Sequence, residues 1–534
     1  VYSGNFLAQA EVDTMDTVRV TMGIHPEGFD WPLCPGEEFQ TPEAVMVYSG
    51  DGLNGMSQVF HQLYRTRLAR GYWRDRERPI LINNWEATYM DFDEEKILSI
   101  AGKARELGIE LFVLDDGWFG KRDDDTTSLG DWYPNLHKLP DGITGLAGKI
   151  RDMGMKFGLW FEPEMVSRDS CLYRAHPDWM LGSTDRPVCT GRHQYVLDFS
   201  KDQVVEYIGD RMEEILGDGG VSYVKWDMNR NFSDIYSPYL PAAKQGETAH
   251  RYVLGLYHIM NELTTRFPEI LFEGCSSGGN RFDLGILSYF PQIWASDNTD
   301  ALCRTGIQNS YSYGYPLSVF TAHVSSCPNH QTLRITPLET RFQVASFAVL
   351  GYECNLKDLS GSDLSAIREQ IALYKKWREV FQFGAFYRGT ENEDSDSETL
   401  SWTCVSPDGR RAVGLFFRRL TTPNQSHDWY RPVGLLPDVK YHFYGRNIKY
   451  NLKDFGDLVN TVSPIHIKQG SALQEILSRF VNMDGEKEEL IAYGDTLMRA
   501  GIALKPAFAG TGYNSDTRLF PDFSSRIYFM EAVE

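Results

Sequence analysis

The chain has 534 residues, of which 42% are hydrophobic and 24% charged, so a short binding module and an intrinsically disordered protein are both excluded. Its 53 basic and 73 acidic side chains give a formal charge of −20, which repels the phosphates of nucleic acids and the surfaces of anionic membranes. The composition therefore favours a globular protein with about two to four domains and a small, neutral substrate.

The first 72 residues are predicted to be the remnant of a β domain followed by a linker helix. Apolar residues alternate over 18–24 as they do in a strand, and a helical pattern follows over 53–70. Because the chain starts at Val1 and enters this pattern at once, we expect an upstream segment to have been removed.

Residues 73–390 alternate short apolar runs with amphipathic stretches of helical period, which is typical of βα units and a parallel sheet. One predicted helix stops at Gly108, and another begins with a capping box formed by Ser200 and Gln203. Eight such units predict an α/β protein built on a (β/α)8 TIM barrel. The predicted strands are residues 80–84, 111–114, 157–161, 195–198, 223–226, 270–273, 292–295 and 318–322.

A third region, residues 391–534, is predicted to be a C-terminal antiparallel β-sandwich. It opens with an acidic linker at 391–398, and β-rich segments such as 412–417 and 441–444 follow. The chain is thus expected to carry a short N-terminal β remnant, a barrel and a sandwich, in that order.

The carboxyl ends of the predicted barrel strands are unusually polar, and that is where barrel enzymes gather their functional groups. An isolated aspartate after a strand often only caps a helix or forms a turn, but packing does not require this many carboxylates. The sequence therefore predicts an active site at these ends. The residues there are Trp85, Asp115, Asp116, Trp160, Glu162, Asp198, Lys225, Asp227, Cys275, Asp297 and His323.

Lys225 and Asp227 lie two apart on a strand, so both side chains point to the same side. The cation there would keep the carboxylate ionised and donate to a substrate hydroxyl. Asp115 and Asp116 precede Trp118, and they are either an acidic helix cap or a clamp for sugar hydroxyls.

Three further strand-end residues each fit two interpretations. Trp85 and Trp160 are either core residues or platforms that stack on the apolar face of a sugar. Cys275 is either a small buried thiol or part of a glycine-rich loop that approaches a ligand closely. The aspartates at 123–125 lack the spacing of a calcium loop and favour a solvated loop.

Two carboxylates on different strand ends fit glycoside hydrolysis, in which one is the nucleophile and the other is first acid and then base. This chemistry needs no metal or other cofactor. His323 and His330 are seven apart, which is not a metal-ligand spacing. A Schiff base on Lys225 is disfavoured because a nearby carboxylate keeps the amine charged.

Seven stretches carry a family resemblance: NNWEATYMDF, LDDGWFG, GLWFEPEMVS, YVKWDMNR, CSSGGNRFD, WASDNTDA and HVSSCPNHQ. In these stretches, their order and the GTGYN and DFSSRIYFME ending, the chain resembles the microbial α-galactosidases of glycoside hydrolase family 36. The resemblance implies an exo-acting α-galactosidase for substrates of the raffinose and melibiose type. It also implies a retaining double displacement, with the two catalytic carboxyls about 5–5.5 Å apart.

Carried over position by position, the resemblance implies that Asp227 is the nucleophile and Asp297 the acid and base. Asp115 and Asp116 would contact O4 and O6 of galactose, and Lys225 and Arg192 would contact further hydroxyls. Trp85 and Trp160 would lie against the ring. The loop from Cys275 to Gly279, which includes Gly278, would contact the 2-position, and Asn229 is a further implied substrate-binding residue.

The chain departs from the family pattern in three respects. Only the last strands of the family's large N-terminal β-supersandwich are expected here. The resemblance implies a homo-oligomer, since the family often forms tetramers in which the N-terminal domain of a neighbour approaches the active site. His193 stands where asparagine is common, and Ala295 stands where threonine is common.

Three alternatives stay open: an α-N-acetylgalactosaminidase, a relative that transfers galactose to another sugar, and a catalytically silent carbohydrate-binding protein.

Eight scattered cysteines without a CxxC pair predict reduced thiols. No apolar run approaches the roughly 18 residues of a membrane helix, and a cytoplasmic location is expected.

Overall fold

The structure is a computed structural model that describes residues 5–183, 185–389, 397–422, 428–461, 463–485, 488–505 and 520–533. All but the last two residues of the predicted acidic linker, and the GTGYN stretch at 510–514, lie outside these ranges. Within the described ranges, no helix combines the length and the apolar character needed to cross a membrane.

The strands and helices are numbered in chain order. The strands are β1 (Phe6–Val12), β2 (Val18–Ile24), β3 (Leu81–Asn83), β4 (Leu111–Leu114), β5 (Lys156–Phe161), β6 (Met165–Ser167), β7 (Gln194–Val196), β8 (Tyr223–Trp226), β9 (Leu271–Gly274), β10 (Gln292–Trp294), β11 (Phe320–Ser325), β12 (Val349–Glu353), β13 (Ala385–Arg388), β14 (Thr399–Val405), β15 (Arg411–Arg418), β16 (Trp429–Tyr430), β17 (Lys440–Gly445), β18 (Lys449–Asn451), β19 (Asn482–Asp484), β20 (Glu489–Tyr493), β21 (Ile502–Ala503) and β22 (Ser524–Ala532). The α-helices are α1 (Gly52–Leu63), α2 (Trp85–Thr88), α3 (Glu94–Leu107), α4 (Gly142–Asp152), α5 (Cys171–Ala175), α6 (Asp202–Gly217), α7 (Thr248–Arg266), α8 (Leu284–Leu287), α9 (Ala301–Tyr311), α10 (Leu338–Ser346), α11 (Gly361–Phe383), α12 (Ala472–Leu477) and α13 (Gly494–Arg499).

Eight parallel strands close into a barrel in the order β3, β4, β5, β8, β9, β10, β11 and β12, which confirms the predicted (β/α)8 fold. The outer helices bury one apolar face each against these strands. In α3 the buried face includes Ile97, Ile100 and Leu107, and the helix stops at Gly108 as predicted. Gly108 has a φ of 96°, a left-handed conformation that glycine adopts without a steric penalty.

One of the eight predicted barrel strands is wrong because it lies outside the barrel, and one strand of the barrel was not predicted. The predicted strand at 195–198 is not in the barrel, because β7 pairs antiparallel with β6 in the connection between β5 and β8. The eighth barrel strand is instead β12, which pairs with β11 and β3. Gly351 interrupts the apolar run of β12, and a Cβ there would lie 2.4 Å from Cδ2 of His323, so the close packing of that ring requires glycine.

The predicted capping box at Ser200 is also wrong. Helix α6 begins after Lys201, and no side chain caps its first turn. The Ser200 hydroxyl donates to Oδ1 of Asp198 at 2.5 Å instead. The hydroxyl is oriented to donate to this buried carboxylate, a strong charge-assisted hydrogen bond, and its oxygen accepts from no N–H of the first turn of α6.

The C-terminal region contains a six-stranded antiparallel sheet in the order β13, β14, β15, β22, β17 and β20, so the predicted antiparallel β domain is confirmed. Its first strand, β13, precedes residue 391. One face of the sheet packs on α11, where the rings of Trp377 and Phe529 lie 4.9 Å apart. The small ladder of β16 and β21 covers the other face, with the ring of Tyr430 5.3 Å from that of Tyr528.

The N-terminal region is a mostly exposed hairpin of β1 and β2, followed by α1. Helix α1 is tied to the barrel and the C-terminal sheet by buried hydrogen bonds. His61 Nε2 lies 2.8 Å from the carbonyl oxygen of Ser312, and Arg388 donates to Ser57 Oγ at 2.8 Å. This helix therefore links all three regions.

Candidate active site

A cavity of about 140 Å³ lies at the carboxyl ends of the barrel strands. A neighbouring cavity of about 770 Å³ shares Asn229 with it but has no pair of carboxylates in its wall. Asp227, Asp297 and the implied substrate contacts line the smaller cavity, except for the loop residues after Cys275, which include Gly278. Its lining residues are Trp85, Glu86, Asp115, Asp116, Trp160, Arg192, Lys225, Asp227, Asn229, Cys275, Trp294, Asp297, Thr299, His330, Gln331 and Glu353.

Asp227 directly follows β8 and is held by three donors. Trp160 Nε1 and Asn229 Nδ2 donate to its Oδ2 at 3.2 and 2.9 Å. The backbone N–H of Met228 donates to its Oδ1 at 2.9 Å. Three donors fix the orientation of the carboxylate, as an attacking carboxylate requires.

Asp297 follows β10 and accepts a hydrogen bond from Trp294 Nε1, with Oδ1 2.8 Å away. Burial, together with the negative charge of Asp227, raises the pKa of the Asp297 carboxyl above its ordinary value. A carboxyl with a raised pKa keeps its proton longer as the pH rises and can protonate a leaving group. The two aspartates therefore lie in different environments: three donors hold Asp227, whereas Asp297 has a single side-chain donor among the described residues and a raised pKa.

Lys225 forms a buried ion pair with Asp115, with Nζ 2.8 Å from Oδ2. The residue that forms an ion pair with Lys225 is therefore Asp115, which directly follows β4, and not Asp227, which the sequence spacing had placed beside it. Burial acts to lower the pKa of Lys225, but the surrounding negative charges, Asp115 first, outweigh it and raise the pKa well above its ordinary value. The amine is thus a cation, suited to donating hydrogen bonds and unsuited to forming a Schiff base.

Asp116 faces the same cavity and is held by Arg122. The guanidinium donates through Nε and Nη2 at 3.0 and 2.9 Å, in a bidentate arrangement. Burial raises the pKa of Asp116, and the charge of Arg122 opposes that shift. Neither Asp115 nor Asp116 caps a helix, since the next helix, α4, follows Asp141; both are fixed carboxylates in a cavity wall.

Two further predicted residues, Cys275 and Gly278, lie in the loop that follows β9. Cys275 is buried, and burial and the charge of Asp227 raise the pKa of its thiol. Gly278 lies outside the cavity wall, because its loop closes against the backbone before Asp297. A Cβ at Gly278 would lie 2.8 Å from Cα of Ser296, and its φ is +83°, so the position requires glycine.

Arg192 reaches the cavity from the turn between β6 and β7. Arg192 and His193 have φ angles of 53° and 60°, in the left-handed region that most side chains avoid. A non-glycine residue held here costs on the order of 1 kcal/mol or more, so this turn is strained.

Three predicted strand-end residues do not line the cavity. Glu162 lies beneath it and accepts from the backbone N–H of Asn229 at 2.6 Å. Asp198 accepts from Ser200, and His323 pairs with Glu353 at 2.8 Å. Each of the aspartates at 123–125 has a side-chain partner: Lys138 pairs with Asp123, Thr126 with Asp124, and His193 with Asp125.

Six lining residues were not predicted: Glu86, Trp294, Thr299, His330, Gln331 and Glu353. Glu353 ends the missed strand β12, so the strand-end rule would have found it once that strand was recognised. Glu86 and His330 lie within two of the seven resembling stretches. Burial, and then the charge of Glu353, raises the pKa of Glu86 to about 8.

Family models match almost the whole chain. The model described as Melibiase matches residues 38–384. The models of the glycosyl hydrolase family 36 C-terminal and N-terminal domains match residues 399–530 and 1–34.

The chain is 54% identical over 448 residues to alpha-galactosidase AgaA of Geobacillus stearothermophilus, and this alignment covers 84% of this chain and 61% of that protein. It is 48% identical over 440 residues to alpha-galactosidase Mel36A of Lactobacillus acidophilus, which covers 82% and 60%. The chain thus spans about three fifths of the length of these relatives. The crystal structure of AgaA matches all of this chain and 66% of its own, with a TM-score of 0.86 and 48% identity, and a variant of AgaA has been solved in complex with raffinose.

Proposed function

The chain belongs to glycosyl hydrolase family 36, and on that basis we propose that it is a retaining, exo-acting α-galactosidase that releases terminal α-linked galactose from oligosaccharides of the raffinose and melibiose type. One observation carries the proposal. Asp227 and Asp297 line one small cavity, the first held by three donors and the second with a raised pKa. That is the pair of environments a double displacement needs.

In the first step, Asp227 attacks C1 of the galactosyl ring while Asp297 gives its proton to the glycosidic oxygen of the departing sugar. In the second step, Asp297, now a carboxylate, takes a proton from water as the water oxygen attacks C1 and the bond to Asp227 breaks. Each step inverts C1, so the released galactose keeps the α configuration. Asn229 and Trp160 stabilise the carboxylate of Asp227 as it leaves.

Recognition of galactose falls to the carboxylates opposite the catalytic pair. Asp115 and Asp116 accept from the axial O4 hydroxyl and from O6, and Lys225 donates to a neighbouring hydroxyl. Because Lys225 and Arg122 hold these carboxylates in place, little ordering is needed when the sugar binds. The cavity of about 140 Å³ is small beside the roughly 300–1,000 Å³ of drug-sized ligand sites, which supports binding of a single terminal sugar.

The stereochemical outcome is the first test. We expect proton NMR of an early time point with an α-galactoside to show α-galactose as the first-formed product, before mutarotation. β-Galactose as the first product would require an inverting enzyme, whose carboxyls stand farther apart to admit water, and would contradict the proposed nucleophile.

The 2-position decides which sugar is preferred. Cys275 lines the cavity together with Asp227, and its small side chain can seat a hydroxyl closely or leave room for an acetamido group, so rates on the two sugars must decide between them. A site built for the hydroxyl loses about 1–3 kcal/mol with the wrong substituent. We expect kcat/KM for 4-nitrophenyl α-galactoside to exceed that for the matching α-N-acetylgalactosaminide at least ~10-fold. Equal or reversed values would assign the chain to the acetamido sugar instead.

A further inference from the structure

We infer that Trp294 is a positioning residue for the acid and base Asp297: its indole N–H fixes which carboxyl oxygen carries the catalytic proton. The inference rests on the proposed function and extends it to a residue with no assigned role. Trp294 ends β10 three residues before Asp297, and its side chain is almost completely buried in the cavity wall.

The contact with Asp297 is specific to one oxygen. Trp294 Nε1 donates to Oδ1 at 2.8 Å. Among the residues that the structure describes, no second side chain is recorded as donating to this carboxyl. Oδ1 of Asp297 therefore accepts the indole N–H, and the catalytic proton is carried by Oδ2, which can donate it to a glycosidic oxygen.

The indole itself is clamped. The ring centroids of Trp294 and His323 lie 4.3 Å apart, and the Arg304 guanidinium lies 4.4 Å from the Trp294 centroid. His323 is anchored in turn by Glu353, with Nδ1 2.8 Å from Oε2. Arg304 donates to three backbone carbonyls, those of Ser296, Asn298 and Thr321, at 2.6, 2.8 and 3.1 Å.

Because the indole is held in place, its hydrogen bond can influence the pKa of Asp297. Asp297 must be protonated in the first step and charged in the second, so a pKa that is too high would impair the second step. Burial and Asp227 raise the pKa of Asp297, whereas the Trp294 N–H stabilises the charged form and lowers it. Trp294 thus limits the rise while holding the carboxyl in one orientation.

The test replaces Trp294 with phenylalanine, which keeps an aromatic ring between His323 and Arg304 and removes the N–H. The charged and titratable groups around Asp297 remain in place: Asp227, Lys225, Cys275, Arg304 and Glu353. Loss of a donor to the charged form raises the pKa of Asp297, so the alkaline limb of the kcat/KM profile should move to higher pH by about 0.5–1 unit.

Rates should separate two leaving groups. At neutral pH we expect W294F to lower kcat/KM for raffinose about 10- to 100-fold, because misorienting the acid forfeits part of its contribution. An α-galactoside with a 2,4-dinitrophenyl leaving group needs little protonation and should lose less than about threefold. The matched control is W402F, since Trp402 Nε1 donates to Asn309 Oδ1 at 3.2 Å in the C-terminal region; both quantities should stay at the wild-type value.

The outcomes are distinct. An unshifted alkaline limb, or equal losses for both leaving groups, would make Trp294 only a wall of the cavity and overturn the inference. Wild-type enzyme that does not hydrolyse raffinose would instead contradict the proposed function. Circular dichroism checks that W294F is folded, and if it is not, W294M carries the same expectations because a flexible methionine fills irregular space without a donor.

Discussion

Replacing Asp227 with alanine is expected to lower kcat by at least about 10⁴-fold for every α-galactoside, whatever its leaving group. Without this carboxylate no covalent bond to C1 can form, so a better leaving group does not help. The measurement is steady-state hydrolysis of raffinose and of 2,4-dinitrophenyl α-galactoside. A matched control is Asp152→Ala, which removes an exposed carboxylate at the end of α4 and should leave both rates unchanged.

Azide identifies the vacated position. In D227A a small anion can enter from the nucleophile side and displace the leaving group once, so the product should be β-galactosyl azide. An α-azide from this variant, or residual turnover within tenfold of wild type, would show that Asp227 is not the nucleophile.

Replacing Asp297 with alanine should have an effect that depends on the leaving group. Hydrolysis of raffinose needs a proton on the departing sugar, and loss of the acid should reduce kcat/KM by about 10²–10⁴-fold. The 2,4-dinitrophenolate leaves without help, so formation of the covalent intermediate should be nearly normal and its hydrolysis slow. A burst of dinitrophenol followed by a slow steady state is the expected signature in a stopped-flow trace.

Azide again provides the discriminating product. In D297A it should attack the covalent intermediate in place of activated water and give α-galactosyl azide, because two inversions then precede release. If D297A yields the β-azide and D227A the α-azide, the two aspartates exchange roles. If D297A slows both substrates equally and shows no burst, Asp297 is not the acid.

The barrel could be predicted because its signals are local. Alternating apolar runs and helical faces depend on neighbouring residues, and the polar strand ends mark one side of the closed sheet. Pairing partners are not local, and this is where the prediction failed. The run that became β7 ends in Asp198, as a barrel strand might, but its hydrogen bonds go to β6. Gly351 masked the apolar pattern of β12.

The same distinction applies to the site. Trp85, Asp115, Asp227 and Asp297 could be found one strand end at a time, and all of them line the cavity. The ion pair between Lys225 and Asp115 joins β8 to β4, so sequence spacing carried no signal for it. Nor did spacing indicate that the Trp294 N–H meets Asp297, since that contact depends on the turn after β10.

The hairpin of β6 and β7 has a consequence for how this protein can change. Its strands pair with each other and carry Arg192 into the cavity from outside the barrel sheet, whereas Asp227 and Asp297 follow barrel strands. Substitutions at Arg192 can therefore reshape one wall without replacing any residue of the barrel strands, in the way that enzyme families diversify through loops on a constant scaffold. For directed evolution, we expect Arg192 to be a position where one contact to the ligand can be varied while Asp227 and Asp297 stay on the barrel scaffold.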